Sequence, residues 1–76
     1  MVFEKIREIL ASQFDVDEEE ITTETNLIDE FGADSLDVVE VMTSIENEFN
    51  IVITDESVHD VKTVSDIVDI VSGYVS

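Results

Sequence analysis

Cysteine, proline and tryptophan are absent from this chain of 76 residues, glycine occurs twice, and only three residues are Lys or Arg. Without cysteine there is no disulfide framework, no thiolate zinc site and no cysteine nucleophile, so any thiol chemistry has to be imported. No Pro/Gly-rich linker and no internal repeat divides the sequence. One domain spanning residues 1–76 is therefore expected, with a core too small to house a buried multi-residue active site with ease. No apolar run approaches the length needed to cross a membrane, and Met1-Val2-Phe3-Glu4-Lys5 lacks the apolar core of a signal peptide. A cytoplasmic protein with no membrane insertion is the expectation. Against the three cations stand 20 Asp and Glu, a formal charge of −17, and no Lys or Arg occurs between Glu8 and Val61. Such a field repels nucleic acid and anionic lipid and attracts basic protein surfaces.

A charge this high in a short chain suggests disorder, but 43% of the residues are apolar and they recur at helical spacing. From Val2 to Phe14, the positions Val2, Phe3, Ile6, Ile9, Leu10 and Phe14 predict a first amphipathic helix. Residues 15–33 break the pattern with the acidic run Asp17-Glu18-Glu19-Glu20 and a Thr-rich stretch, and read as a long loop packed by Ile21, Leu27, Ile28 and Phe31. A second helix is predicted from Ser35 to Phe49. Its residues Val38, Val41, Met42, Ile45 and Phe49 fall within roughly a 100° arc and form the core face. Thr54 is a plausible cap for a short helix over Asp55 to Asp60, with Val58 and Val61 pointing inward, and Ile51-Val52-Ile53 reads as the connector into it. Thr63-Val64-Ser65-Asp66 is a capping box opening a last, Val-rich helix that depends on docking for its stability. The fold class is all-α: a small antiparallel bundle of three longer helices plus one short helix.

The most informative segment is Gly32-Ala33-Asp34-Ser35-Leu36-Asp37, at the entrance to the second helix. Asp34 with Asp37 three residues on forms a variant of the capping box, so the cap is an acid and Ser35 is left at the first helical position with its hydroxyl outward. Leu36, Glu40, Thr43 and Asn47 share the face opposite the core, flanked by Asp37 and Ser44. Leu36 is thus an apolar side chain on the solvent side beside an unused serine.

That hexapeptide, followed by Val39-Glu40 and a helix ending Ile45-Glu46-Asn47-Glu48-Phe49, resembles the acyl carrier proteins of dissociated (type II) fatty acid synthesis. The similarity runs over essentially the whole chain, and it implies an acyl-carrier-protein-like fold. It also implies that Ser35 is esterified by the phosphate of 4′-phosphopantetheine, delivered from coenzyme A by a separate magnesium-dependent transferase, with Asp34 and Leu36 as motif flanks. The thiol missing from the chain would then come with the cofactor. Leu36, Asp37, Glu40, Thr43 and Asn47 match the face that docks on basic surfaces of the transferase and of fatty acid synthesis enzymes. Val38, Val39, Met42, Ile53, Val58 and Val61 match positions lining the acyl pocket, and the flexible Met42 suits variable chain lengths. The expected state is a monomeric carrier without catalytic activity. Three positions depart from the family pattern: Thr54 for a common proline, Thr43 for a common methionine, and Asp60 for a common lysine.

Other readings of the same residues stay open at this point. A carrier for polyketide, aminoacyl or D-alanyl transfer shares the pattern, and from another class an acidic helical interaction or calcium-buffer protein shares the charge. Asp15-Val16-Asp17-Glu18-Glu19-Glu20 fails as a calcium-binding EF-hand loop, because Glu20 stands where glycine is needed and Asn26 where the bidentate glutamate belongs. No metal site is expected. His59 has no second His or Cys to share a metal with and reads as a surface residue.

Overall fold

The computed structural model describes residues 2–54 and 56–75. Helix α1 covers Val2–Phe14, α2 Leu27–Phe31, α3 Ser35–Phe49 and α4 Val64–Val75, with 3-10 helices at Glu18–Glu20 and Glu56–Asp60. Among the described residues the one β pairing is an isolated bridge between Asn26 and Thr63, so the all-α class holds.

The three long helices begin and end where periodicity and caps place them. α1 buries Ile6 and Leu10, α3 buries Val38, Val41, Met42 and Ile45, and α4 buries Val64, Ile67 and Val71. α1 packs against both α3 and α4, which gives the β-branched α4 the docking it requires. The cap of α4 is reciprocal: the Asp66 amide donates to Thr63 Oγ1 at 3.2 Å and the Thr63 amide to Asp66 Oδ2 at 3.1 Å. Asp66 Oδ2 also accepts from the Lys62 amide at 3.0 Å. These backbone donors, Lys62 first and Thr63 second, hold the Asp66 carboxyl below its ordinary pKa.

The region read as a loop holds more structure than its pattern announces. Asn26 caps α2, accepting from the Ile28 and Asp29 amides at 3.0 and 2.9 Å, and Glu30 reaches back to the Asn26 amide at 2.9 Å. Gly32 ends the helix in the left-handed region at φ 66°, where a side chain is strained. Of the four residues expected to pack this region, Ile21 and Leu27 are fully buried and Phe31 is half-buried, its ring stacked on Phe14 at 5.2 Å. Ile28 is 43% exposed instead, because a five-residue helix has room for only one inward face. The stretch before α2 is sewn to the entrance of α4: Leu27 N donates to Lys62 O at 2.8 Å, Val64 N to Thr25 O at 3.0 Å and Ser65 N to Thr23 O at 2.9 Å.

Ile51, Val52 and Ile53 form no strand. The segment that follows is a 3-10 helix, with Val61 buried just past its end and Val58 half-buried. Its expected capping by Thr54 over Asp55 lies outside the described residues.

Candidate functional site

Each residue from Gly32 to Asp37 does a separate physical task. Gly32 takes the left-handed turn that leaves α2, and Ala33 is 4% exposed, small enough to enter the core where the chain reverses. Asp34 caps α3: its Oδ1 accepts from the Asp37 amide at 3.0 Å while Asp37 Oδ2 accepts from the Asp34 amide at 3.2 Å. The acid, not the serine, therefore satisfies the helix end. Ser35 follows as the first helical residue, exposed, and Leu36 is 65% exposed beside it. Among the described residues the Ser35 hydroxyl has no hydrogen-bond partner.

Behind Ser35 lies a cavity of about 150 Å³ lined by Ile28, Asp34, Ser35, Val38, Val39, Val58, His59 and Val61. A second cavity, also about 150 Å³, is lined by Val39, Met42, Thr43, Glu46, Ile53 and Val58. Val39 and Val58 belong to both. The six residues matched to an acyl pocket are therefore divided between two adjoining spaces, and Ser35 stands at the border of the first. A larger and more open hollow of about 380 Å³ runs between α1 and α3, lined by Lys5, Glu8, Ile9, Ser12, Gln13, Ser44 and Glu48. It does not include Ser35, and its walls are mostly polar.

Two residues of the first cavity escaped the sequence analysis. Ile28 is expected in loop packing, and His59, exposed as the sequence suggests, is given no place beside Ser35 by the sequence. Their approach to Ser35 is made by α2 and the second 3-10 helix, and no local pattern around either residue signals it.

On the exposed face of α3, Leu36, Glu40, Thr43 and Asn47 are exposed and Asp37 is half-buried. Not all of them are equally available. Glu40 accepts a hydrogen bond from Gln13 Nε2 of α1 at 3.2 Å, and Thr43 turns its hydroxyl back to Val39 O at 2.9 Å. Asn47 lies about 3.3 helical turns from Ser35, about 18 Å along the axis. Lys5 is engaged with Glu8 at 3.5 Å and Glu48 at 4.0 Å, and Arg7 lies over the Phe3 ring at 5.1 Å from its centroid. Among the described residues no salt bridge reaches Asp34, Asp37 or Glu40. Among the described residues no group of three or more His, Cys, Asp or Glu is placed to hold a metal ion, and no helix is long and apolar enough to cross a membrane.

The arrangement suits a covalently attached anionic group. First-turn amides of a helix have no intrahelical acceptor; the capping box takes that of Asp37, Val38 N donates to Asp34 O at 3.1 Å, and those of Ser35 and Leu36 remain to face a phosphate at the positive end of the helix dipole. An apolar cavity adjoins the same serine. An exposed hydroxyl, a helix N-terminus and an apolar recess thus meet at one point, an arrangement that suits a domain bearing a prosthetic arm.

Comparison with known proteins agrees. A family model described as Phosphopantetheine attachment site matches residues 4–71. The chain is 43% identical over 74 residues to an acyl carrier protein of Clostridium acetobutylicum, covering 97% of this chain and 96% of that one, and 44% identical over 73 residues to one of Clostridium perfringens, covering 96% of each. A solved acyl carrier protein from Enterococcus faecalis superposes with a TM-score of 0.73 at 36% identity, over 93% of this chain and 91% of that one. The chain belongs to the acyl carrier protein family. It is a carrier of acyl groups, and its prosthetic group is covalent 4′-phosphopantetheine.

Proposed function

We propose that Ser35 is the attachment residue, that residues 1–76 act as one monomeric carrier domain, and that it takes acyl intermediates as thioesters from enzyme to enzyme of fatty acid synthesis in the cytoplasm. The observation that carries the attachment is an exposed Ser35 at the first position of α3, released from capping by Asp34 and opening on an apolar cavity. The arm supplies the thiol that the sequence lacks. The chain supplies its address: Leu36 offers an apolar contact, and Asp37 and Glu40, with Thr43 and Asn47 further along, present an acidic face to basic surfaces of a phosphopantetheinyl transferase and of the synthesis enzymes. Charge pairing of this kind speeds encounter more than it prolongs residence, as a shuttle requires. The acyl chain then enters between α3 and the second 3-10 helix, into the space lined by Val38, Val39, Val58 and Val61, with Met42 and Ile53 lining the adjoining space for a longer chain.

The test is intact mass after incubation with coenzyme A, magnesium and a broad-specificity phosphopantetheinyl transferase. The wild-type chain gains one phosphopantetheine and Ser35→Ala gains none. Equal gain on the alanine variant would remove the site. A carrier of more polar cargo is the second reading, because Thr43 and Glu46 bring polar atoms to the second cavity. Mass spectrometry of the acyl groups on protein recovered from its native cell separates the two.

A further inference from the structure

The connector from Ile51 to Thr54 leads into the 3-10 helix whose residues wall both cavities: Val58 stands in each, Ile53 in the second, and His59 in the first with Val61 just beyond. No strand holds this connector. After Ile51 N donates to Glu46 O at 3.0 Å in the cap of α3, its next bonds are to side chains. Ile53 N donates to Glu46 Oε2 at 2.7 Å, and Thr54 N donates to Tyr74 Oη at 3.1 Å, with Thr54 Oγ1 a further 3.5 Å contact to the same oxygen. Glu46 belongs to α3 and Tyr74 to α4, so two consecutive amides are gripped by two different helices. The second grip exists because residue 54 keeps an N–H that proline lacks.

We infer that Glu46 and Tyr74 are positioning residues that pin the hinge at Ile53–Thr54 and thereby fix Val58, the wall between the two cavities, so that they set the length of acyl chain this carrier shelters. The inference rests on the proposal that these cavities receive the acyl group. With both bonds made, Val58 and Val39 separate the two spaces, and a chain entering beside Ser35 is confined to the first. With the hinge released, Val58 swings outward with its 3-10 helix and the spaces join into one longer channel. Neither Glu46 nor Tyr74 belongs to the attachment motif.

The first arm of the test needs no prosthetic group: native-state amide exchange by NMR on the unmodified wild type, Tyr74→Phe, Glu46→Ala and the conservative Glu46→Gln. Tyr74→Phe should speed exchange at Thr54 and at Val61, whose amide bonds to Val58 O, by about fivefold, the factor expected for one net hydrogen bond, with α1 unchanged. Glu46→Ala should do the same at Ile53 and Val61, and Glu46→Gln, which keeps an oxygen acceptor, should restore the wild-type rate. Wild-type exchange at Val61 in both Tyr74→Phe and Glu46→Ala would overturn the clamp. In the second arm the chains are loaded enzymatically from acyl-coenzyme A of graded length, and thioester cleavage by hydroxylamine is timed. The best-protected length should move to longer chains in Tyr74→Phe and Glu46→Ala, and an unchanged length profile would overturn the assignment of cargo length to these residues. Failure of wild type to load at all would refute the carrier proposal instead, and the exchange arm would still decide the clamp.

Discussion

Two helices of this chain open on the same device and put it to opposite ends. Asp34 and Asp37 close a capping box at α3, and Thr63 and Asp66 close one at α4. The residue that follows each cap differs. At α4 it is Val64, fully buried, over which the 23–27 stretch is stitched by backbone bonds; at α3 it is Ser35, exposed. Capping chemistry alone therefore says where a helix starts, and the burial of the next residue says whether that start is locked into the core or left open, as the attachment proposed at Ser35 requires.

The sharpest way to break this contrast is to exchange the two residues' roles. Val64→Ser should cost about 2–3 kcal/mol by removing buried methyl groups and burying a hydroxyl, whereas Ser35→Val should change stability by less than about 0.5 kcal/mol while abolishing modification. Urea unfolding of both variants with intact-mass analysis checks the pair. Next in size is Asp66→Asn, expected to lose about 1–2 kcal/mol because its carboxylate serves charged hydrogen bonds. The folded-state pKa of Asp66 is depressed, so its contribution is present above its unfolded value of about 3.9 and is lost as pH falls through the lower folded value. The acid limb of a stability-against-pH curve should accordingly be shallower in Asp66→Asn. Gly32→Ala should cost about 1 kcal/mol through its positive φ alone, since a Cβ there meets no atom within 4 Å. The smallest effect is general: with a formal charge of −17, moderate salt should raise the melting temperature. A fall would show that self-repulsion does not limit this fold.

The boundaries of the three long helices and the capping boxes of α3 and α4 were legible because each is a local pattern, readable within one turn of its cap. α2 was not, because Leu27 to Phe31 is too short to complete a period, although Asn26 before it and Gly32 after it were its signals. The stitching of Thr23, Thr25 and Leu27 to the α4 entrance joins residues far apart in sequence, and backbone bonds leave no mark on side-chain pattern. Ser35, Leu36 and the acids of α3 could be read off the motif and its helical face. Ile28 and His59 could not, since each reaches the Ser35 cavity through the placement of another element. No local pattern marks Glu46 for its bond to Ile53, which lies seven residues further on.

Gln13 gives the acidic face a property that charge alone does not. A lysine or arginine arriving at Glu40 would meet a carboxylate already accepting from the Gln13 amide of α1, so contact there is the replacement of one donor by another and not the filling of a gap. On departure the amide closes again on the same oxygen. Under the docking proposed for α3, the face would be reset from within its own chain, and each encounter would start from the same condition.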